Sequence, residues 1–139
     1  MALQNYNFIN ISDIQMKSNS ISMTSGNSAA MTGALAANRI DIVQSLVITN
    51  YDFENTNAAE VDVYVRNYYD QDGNNYLDKL YICKGVIIPH KTSLVALNES
   101  TPIYLRYNDT TFNQALAIEF ITPGTGRVNA TCAWKQITV

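Results

Sequence analysis

Apolar and polar residues alternate along most of the chain after residue 39, and this period of two predicts strands. Val61, Val63 and Val65 alternate with Asp62, Tyr64 and Arg66, as in a half-buried strand. Asp70, Gln71, Asp72, Gly73 and Asn74 break the pattern, and Asp-Gly accepts the positive φ of a hairpin turn. Residues 76–83 return, with Leu80 and Ile82 on one face and Tyr81 and Cys83 on the other. Gly85 and Pro89 bracket Val86, Ile87 and Ile88. Proline has no amide donor, so that run is an edge strand or ends at Pro89. Residues 92–97 and 103–107 make two short strands on either side of a turn at 98–102. Further on, Leu116, Ile118 and Phe120 point inward and Glu119 outward. A turn at 123–126 leads to the last strand, 127–139, with Val128, Ala130, Cys132 and Trp134 on one face. Counting residues 40–49, about seven strands with turn signals every ~8–12 residues predict an all-β, antiparallel, jelly-roll-like sandwich over residues 39–139. No long helix is available for a parallel crossover.

Residues 1–38 read differently. Residues 18–38, SNSISMTSGNSAAMTGALAAN, hold neither a period of 2 nor one of 3.6. A short Ala-rich helix over 28–38, capped by Ser28, is the local option, weakened by Gly33 at about 1 kcal/mol relative to Ala. Before it, Tyr6, Phe8, Ile9 and Ile11 suit a strand with Tyr6 and Phe8 on one face. So small a set of apolar side chains does not offset the entropy of ordering. This segment is therefore expected to be an extended N-terminal arm held by neighbouring subunits, through strand addition or in grooves between them.

Composition sharpens this division. The 139 residues suit one domain, and charged residues are only 15%, against about 25% in ordinary soluble proteins. Asn, Ser, Thr and Gln supply 43 residues instead. Asp13 and Lys17 are the only charged side chains before Arg39, and the net charge is −3, which argues against gripping a phosphate backbone. No apolar run reaches the ~18 residues of a membrane span, and the first eight residues lack a basic segment followed by an apolar one, so no secretory signal is expected. Without an oxidising compartment, Cys83 and Cys132 read as free thiols used as small hydrophobes, and the sequons at Asn10, Asn98, Asn108 and Asn129 carry little weight.

Candidate chemistry is sparse. His90, the lone histidine, follows Pro89 without a nucleophile-elbow pattern and reads as a loop residue. One His and two separated Cys do not make a zinc site. Asp70, Asp72 and Gly73 resemble a calcium loop, but alignment on Gly73 puts Tyr68 at the first ligand position and Lys79 at the twelfth, where oxygen ligands belong. A looser turn site using Asp70, Asp72 and Asp78 stays open. Glu60, Asp62, Asp78 and Glu119 fall on outward strand positions, as expected of a solvated face and not of a glycosidase pair. No cofactor is expected. The nine tyrosines are more informative: Tyr64, Tyr68, Tyr69, Tyr76 and Tyr81 lie along one hairpin, as a cross-strand ladder or as a contact or glycan-binding face. Candidate subunit contacts are Tyr6, Phe8, Ile9, Ile11, Met16, Met23, Met31 and Leu35 in the arm, and Tyr64, Tyr68 and Tyr76 in the hairpin.

Residues 40–139 resemble a small β-sandwich domain common among structural proteins of tailed bacteriophages, notably marine and cyanobacterial ones. Three segments carry the likeness: residues 45–50 (SLVITN) with 61–65 (VDVYV); Tyr76-Leu77 leading into 84–89 (KGVIIP); and 91–97 (KTSLVAL) with Ile103, Tyr104 and Leu105. His90 and Lys91 stand where small residues are commoner in that family. The resemblance implies a virion component without catalysis, assembled in the host cytoplasm. The expected role is a capsid decoration (cement) protein bridging major capsid subunits as a homo-oligomer, for which trimers suit three-fold lattice positions, without direct nucleic-acid or membrane contact. The alternatives are a neck, tail or baseplate ring component, and a carbohydrate- or receptor-binding module using the tyrosine hairpin.

Overall fold

A computed structural model describes residues 13–32, 39–51, 57–71, 74–108, 112–121 and 126–138; at 68–71, 74–77, 106–108 and 112–113 the description is of the backbone. Among the described residues there are nine strands: β1 (Asp13–Thr24), β2 (Ser28–Ala30), β3 (Arg39–Asn50), β4 (Ala59–Gln71), β5 (Asn74–Ile88), β6 (Ser93–Leu97), β7 (Ile103–Asn108), β8 (Phe112–Phe120) and β9 (Arg127–Thr138). The protein is an all-β antiparallel sandwich. One sheet runs β1-β9-β3, with β7 paired to the first part of β3 and β6 to the last. The other runs β5-β4-β8, with β2 on the far side of β8. β7 turns the corner: Ile103 to Arg106 pair with β3, whereas Tyr107 and Asn108 pair with β8.

The inward faces follow the alternation read from sequence. Val43, Leu46 and Ile48 of β3 meet Val128, Ala130, Cys132 and Trp134 of β9 on one side, and Val61, Val63, Leu116, Ile118 and Phe120 face them from the other sheet. Their burial from water supplies the main favourable term of folding. The thiols are free, and Cys132 is wholly buried.

Part of the segment expected to be a free arm is paired within this chain. β1 pairs with β9 over its whole length, from Asp13↔Thr138 to Thr24↔Arg127, without a register shift. Ser28–Ala30, expected to start a helix, is a strand against Ala117–Glu119 of β8. Met31 and Thr32 continue the attachment: the Met31 amide donates to the Leu116 carbonyl at 2.7 Å, and the Thr32 hydroxyl accepts from the Leu116 amide at 3.0 Å. The physical reason is that β9 and β8 offer backbone ladders. A tract too poor in apolar side chains to fold alone places Ile21, Met23, Ala29 and Met31 on the core once its backbone is paired. Residues 1–12 and 33–38, including the expected strand at Tyr6 to Ile11 and Leu35, lie outside the described residues.

The second departure is β5. The expected strand and short apolar run are one strand, with two register shifts opposite Val61 to Tyr64. Each shift inserts one residue, as β-bulges do, so Ile82, Cys83 and Val86 all pack against the core while Leu80, Tyr81 and Ile87 stay exposed. Strict alternation does not survive two bulges.

Candidate functional site

The outer face of the five-stranded sheet is the most distinctive surface. Cross-strand partners share a face. Ile14 lies opposite Ile137 and Met16 opposite Lys135; Ile137 and Lys135 lie in turn opposite Ile40 and Ile42 of β3. Ile42 lies opposite Tyr104 of β7, and Val47 opposite Val95 of β6. Of these, Ile14 is 53% exposed, Met16 65%, Tyr104 58% and Val95 57%. Apolar residues of β1, β9, β3 and β7 therefore share this end of the sheet, interrupted by Lys135 and ending at Arg106, the register partner of Ile40, while Val47 and Val95 lie further along, in line with Thr131. The other end of the same face is hydroxylic: Ser20 and Thr131 hydrogen-bond at 3.1 Å, and Thr49 and Ser93 at 2.7 Å. A contiguous exposed apolar area on a soluble domain marks a contact surface.

The outer face of the second sheet is built differently. Tyr64 is only 1% exposed. Tyr81 packs edge-on at 5.8 Å between ring centroids, and Lys79 Nζ stands 4.9 Å over the Tyr64 ring. Lys79 also donates to Glu119 at 2.9 Å, and that hydrogen bond holds its ammonium above the ordinary lysine range. Lys84 caps Tyr81 at 4.7 Å. A ring so covered has no free face for a sugar to stack on, which removes Tyr64 from a glycan site. Tyr68 and Tyr76 belong to the β4–β5 ladder, where Tyr69 opposes Tyr76 and Tyr68 opposes Leu77; their side chains lie outside the description.

Of the other residues expected at subunit contacts, Met16 is exposed on the apolar outer face, while Met23 and Met31 are packed in the chain's own core. Tyr6, Phe8, Ile9, Ile11 and Leu35 lie outside the described residues. Sequence reasoning missed Ile40, Ile42, Tyr104, Val95 and Ile137. A signal existed in β3: RIDIVQSLVI is apolar on both faces, whereas a strand with one wet face alternates.

The remaining candidate chemistry disperses. His90 is half-buried in the turn after β5. Among the described residues no three His, Cys, Asp or Glu side chains gather as a metal site; Asp72 is outside them, and Asp78 is exposed. Asp62, expected on a solvated face, is buried and accepts a backbone hydrogen bond from Gly85. Asp41 is buried near the start of β3; burial pushes its carboxyl up, opposed by a 3.3 Å hydrogen bond from Gln136 and the charges of Arg39 and Lys17. Burial pushes the Cys132 thiol up to about 12, which leaves almost no nucleophilic thiolate at neutral pH. Among the described residues, no helix is long and apolar enough to cross a membrane.

No protein-family model matches the sequence, and no curated protein does. Several solved structures are similar in part. A chain in the structure of the infectious bursal disease virus Gx strain superposes with a TM-score of 0.44 and 12% identity, over 92% of this chain and 34% of that one. For the Gt strain the values are 0.41 and 10%, over 91% and 37%. For T=1 particles derived from infectious bursal virus they are 0.40 and 9%, over 92% and 36%. This chain thus spans about a third of the length of the chains it resembles, and a likeness at this level speaks to neither activity nor partner.

Proposed function

We propose that this chain is a non-enzymatic structural protein of a virus particle, and that it acts as a capsid decoration (cement) protein. The observation that carries the reading is the apolar outer face of the five-stranded sheet, from Ile14 and Met16 through Ile40 and Ile42 to Tyr104. Such a face suits docking on a larger protein surface. The resemblance of residues 40–139 to β-sandwich virion proteins supplies the kind of particle. The mechanism is mechanical: the face seats on major capsid subunits, and many copies together oppose outward pressure. Low charge lets like copies sit close together. The contact is made by a sheet face, since residues 13–32 are bound into the sandwich and are not free to thread among neighbours. A neck, tail or baseplate ring component is the second reading, because the same face serves a connector equally well.

Copy number separates the two. Purified protein added to heads that lack it is expected to bind at capsid-scale stoichiometry, and Met16→Ser with Tyr104→Ser to abolish that binding. Saturation at about 6–12 copies, one ring's worth, assigns the protein to the neck or tail instead.

A further inference from the structure

We propose that two copies of this chain pair through the free edge of β1, antiparallel and centred on Gln15, joining two five-stranded sheets into one ten-stranded sheet. This goes beyond the virion reading and stands whichever particle holds the chain. Among the described residues β1 is the outermost strand of its sheet, bonded on one side to β9. Long edge strands are normally blunted by proline, a bulge, short length or inward-pointing charges. β1 runs twelve residues without proline, glycine or a register shift, and its inner-face charges, Asp13 and Lys17, are of opposite sign and can pair across a two-fold axis.

Its sequence is self-complementary in one register. Directly opposed residues share a face, and a two-fold axis at Gln15 opposes residues whose numbers sum to 30. Ile14 then meets Met16 of the second copy on the outer face, where both are exposed. Asp13 meets Lys17 of the second copy on the other face, and by symmetry each pair forms twice. Neighbouring registers lose this match. An axis at Lys17 opposes the two lysines; an axis at Met16 or Ser18 sets Ile14 against a serine; an axis at Ile14 sets Asp13 against Gln15. Opposite charges across a strand pair favour it and like charges oppose it. The arrangement is two-fold, unlike the trimer expected from lattice symmetry, and it carries the apolar outer face across the axis.

The full chain is expected to sediment as a dimer at micromolar concentration. Asp13→Lys alone and Lys17→Asp alone should each weaken the dimer about tenfold. The two together should restore it, since the exchanged charges again face each other. Within one chain residues 13 and 17 are four positions apart along a strand, too far to pair directly, but the charge of Lys17 also reaches Asp41, so rescue reports contact between copies where the variants keep the wild-type melting curve. In a Cys83→Ser chain, Gln15→Cys is expected to cross-link under mild oxidation. The axis brings its two copies to about 4.5–5.5 Å between Cα atoms, within the ~4.4–6.8 Å of a disulfide. Ser18→Cys should not cross-link. A chain that stays monomeric, a dimer indifferent to both charge reversals, a double variant that fails to recover while keeping the wild-type melting curve, or cross-linking at Ser18→Cys in place of Gln15→Cys overturns the proposal.

Discussion

The carboxylate of Asp62 accepts the backbone amide of Gly85 at 2.7 Å across the β4–β5 ladder, at the point where β5 bulges. Gly85 has φ +64°, and a Cβ there would lie 3.3 Å from Glu60 Oε1. The side chain thus satisfies a donor that the bulge takes out of the regular ladder. Asp62→Ala is expected to cost about 1–3 kcal/mol by leaving that amide unpaired. Gly85→Ala should cost about 1–2 kcal/mol through the left-handed backbone alone. Urea unfolding of each variant measures both, and a loss below about 0.5 kcal/mol for Asp62→Ala means the bulge does not depend on it.

Gly126 presents a different constraint, one of space. A Cβ there would stand 2.5 Å from Cζ of Phe120, a ring that is itself buried. Since a packed core ring has little room to yield, Gly126→Ala should destabilise by about 1–3 kcal/mol. Combining it with Phe120→Leu, which removes the obstructing atoms, should make the glycine substitution nearly neutral in that background. Additive losses in a double-mutant cycle would contradict the steric account.

Asp41 makes stability depend on pH. Its carboxyl titrates higher in the folded chain than in the unfolded one because burial disfavours the charge. The folded state therefore holds the proton more tightly. Asp41's favourable share is complete below the unfolded value, about 3.9, and is lost as pH rises through the folded one. Asp41→Asn, which keeps an oxygen for Gln136, should raise the melting temperature at pH 7, and its advantage over the parent should fade in acid. Melting curves from pH 3 to pH 8 decide this, and an advantage that grows in acid would reverse the sign assigned to Asp41.

Residues of the apolar outer face should separate binding from folding. Met16→Ser and Tyr104→Ser remove exposed side chains, so each is expected to change unfolding free energy by no more than about 0.5 kcal/mol. Leu46→Ala, in the core, should cost about 2–5 kcal/mol. Particle binding should fall for the first two variants at unchanged stability. Binding that tracks stability across all three would mean the face is not a contact surface.

The inward faces of β3, β8 and β9 were legible because each presents apolar residues at every second position to one core. Trp134 and Phe120 needed no tertiary information to be placed inside. Tyr64 was legible as part of a strand, but its burial was not. Its cover comes from Lys79 and Tyr81 on the neighbouring β5, and which residues oppose it depends on two bulges that no periodicity announces. Asp62 was misread for the same reason, since its partner is a backbone amide exposed by one of those bulges.

By itself the sequence determined an all-β antiparallel sandwich and the identity of its main core, because a period of two against apolar residues has few other solutions. The tertiary structure decided the fate of residues 13–32 and the nature of the outer face. Ser18, Ser20 and Ser22 carry no hydrophobic pattern to read; what holds their strand is the backbone ladder of β9, more than a hundred residues away in the chain. Ile14, Ile42 and Tyr104 are likewise scattered along the sequence. Only pairing in register through β9, β3 and β7 gathers them on one surface.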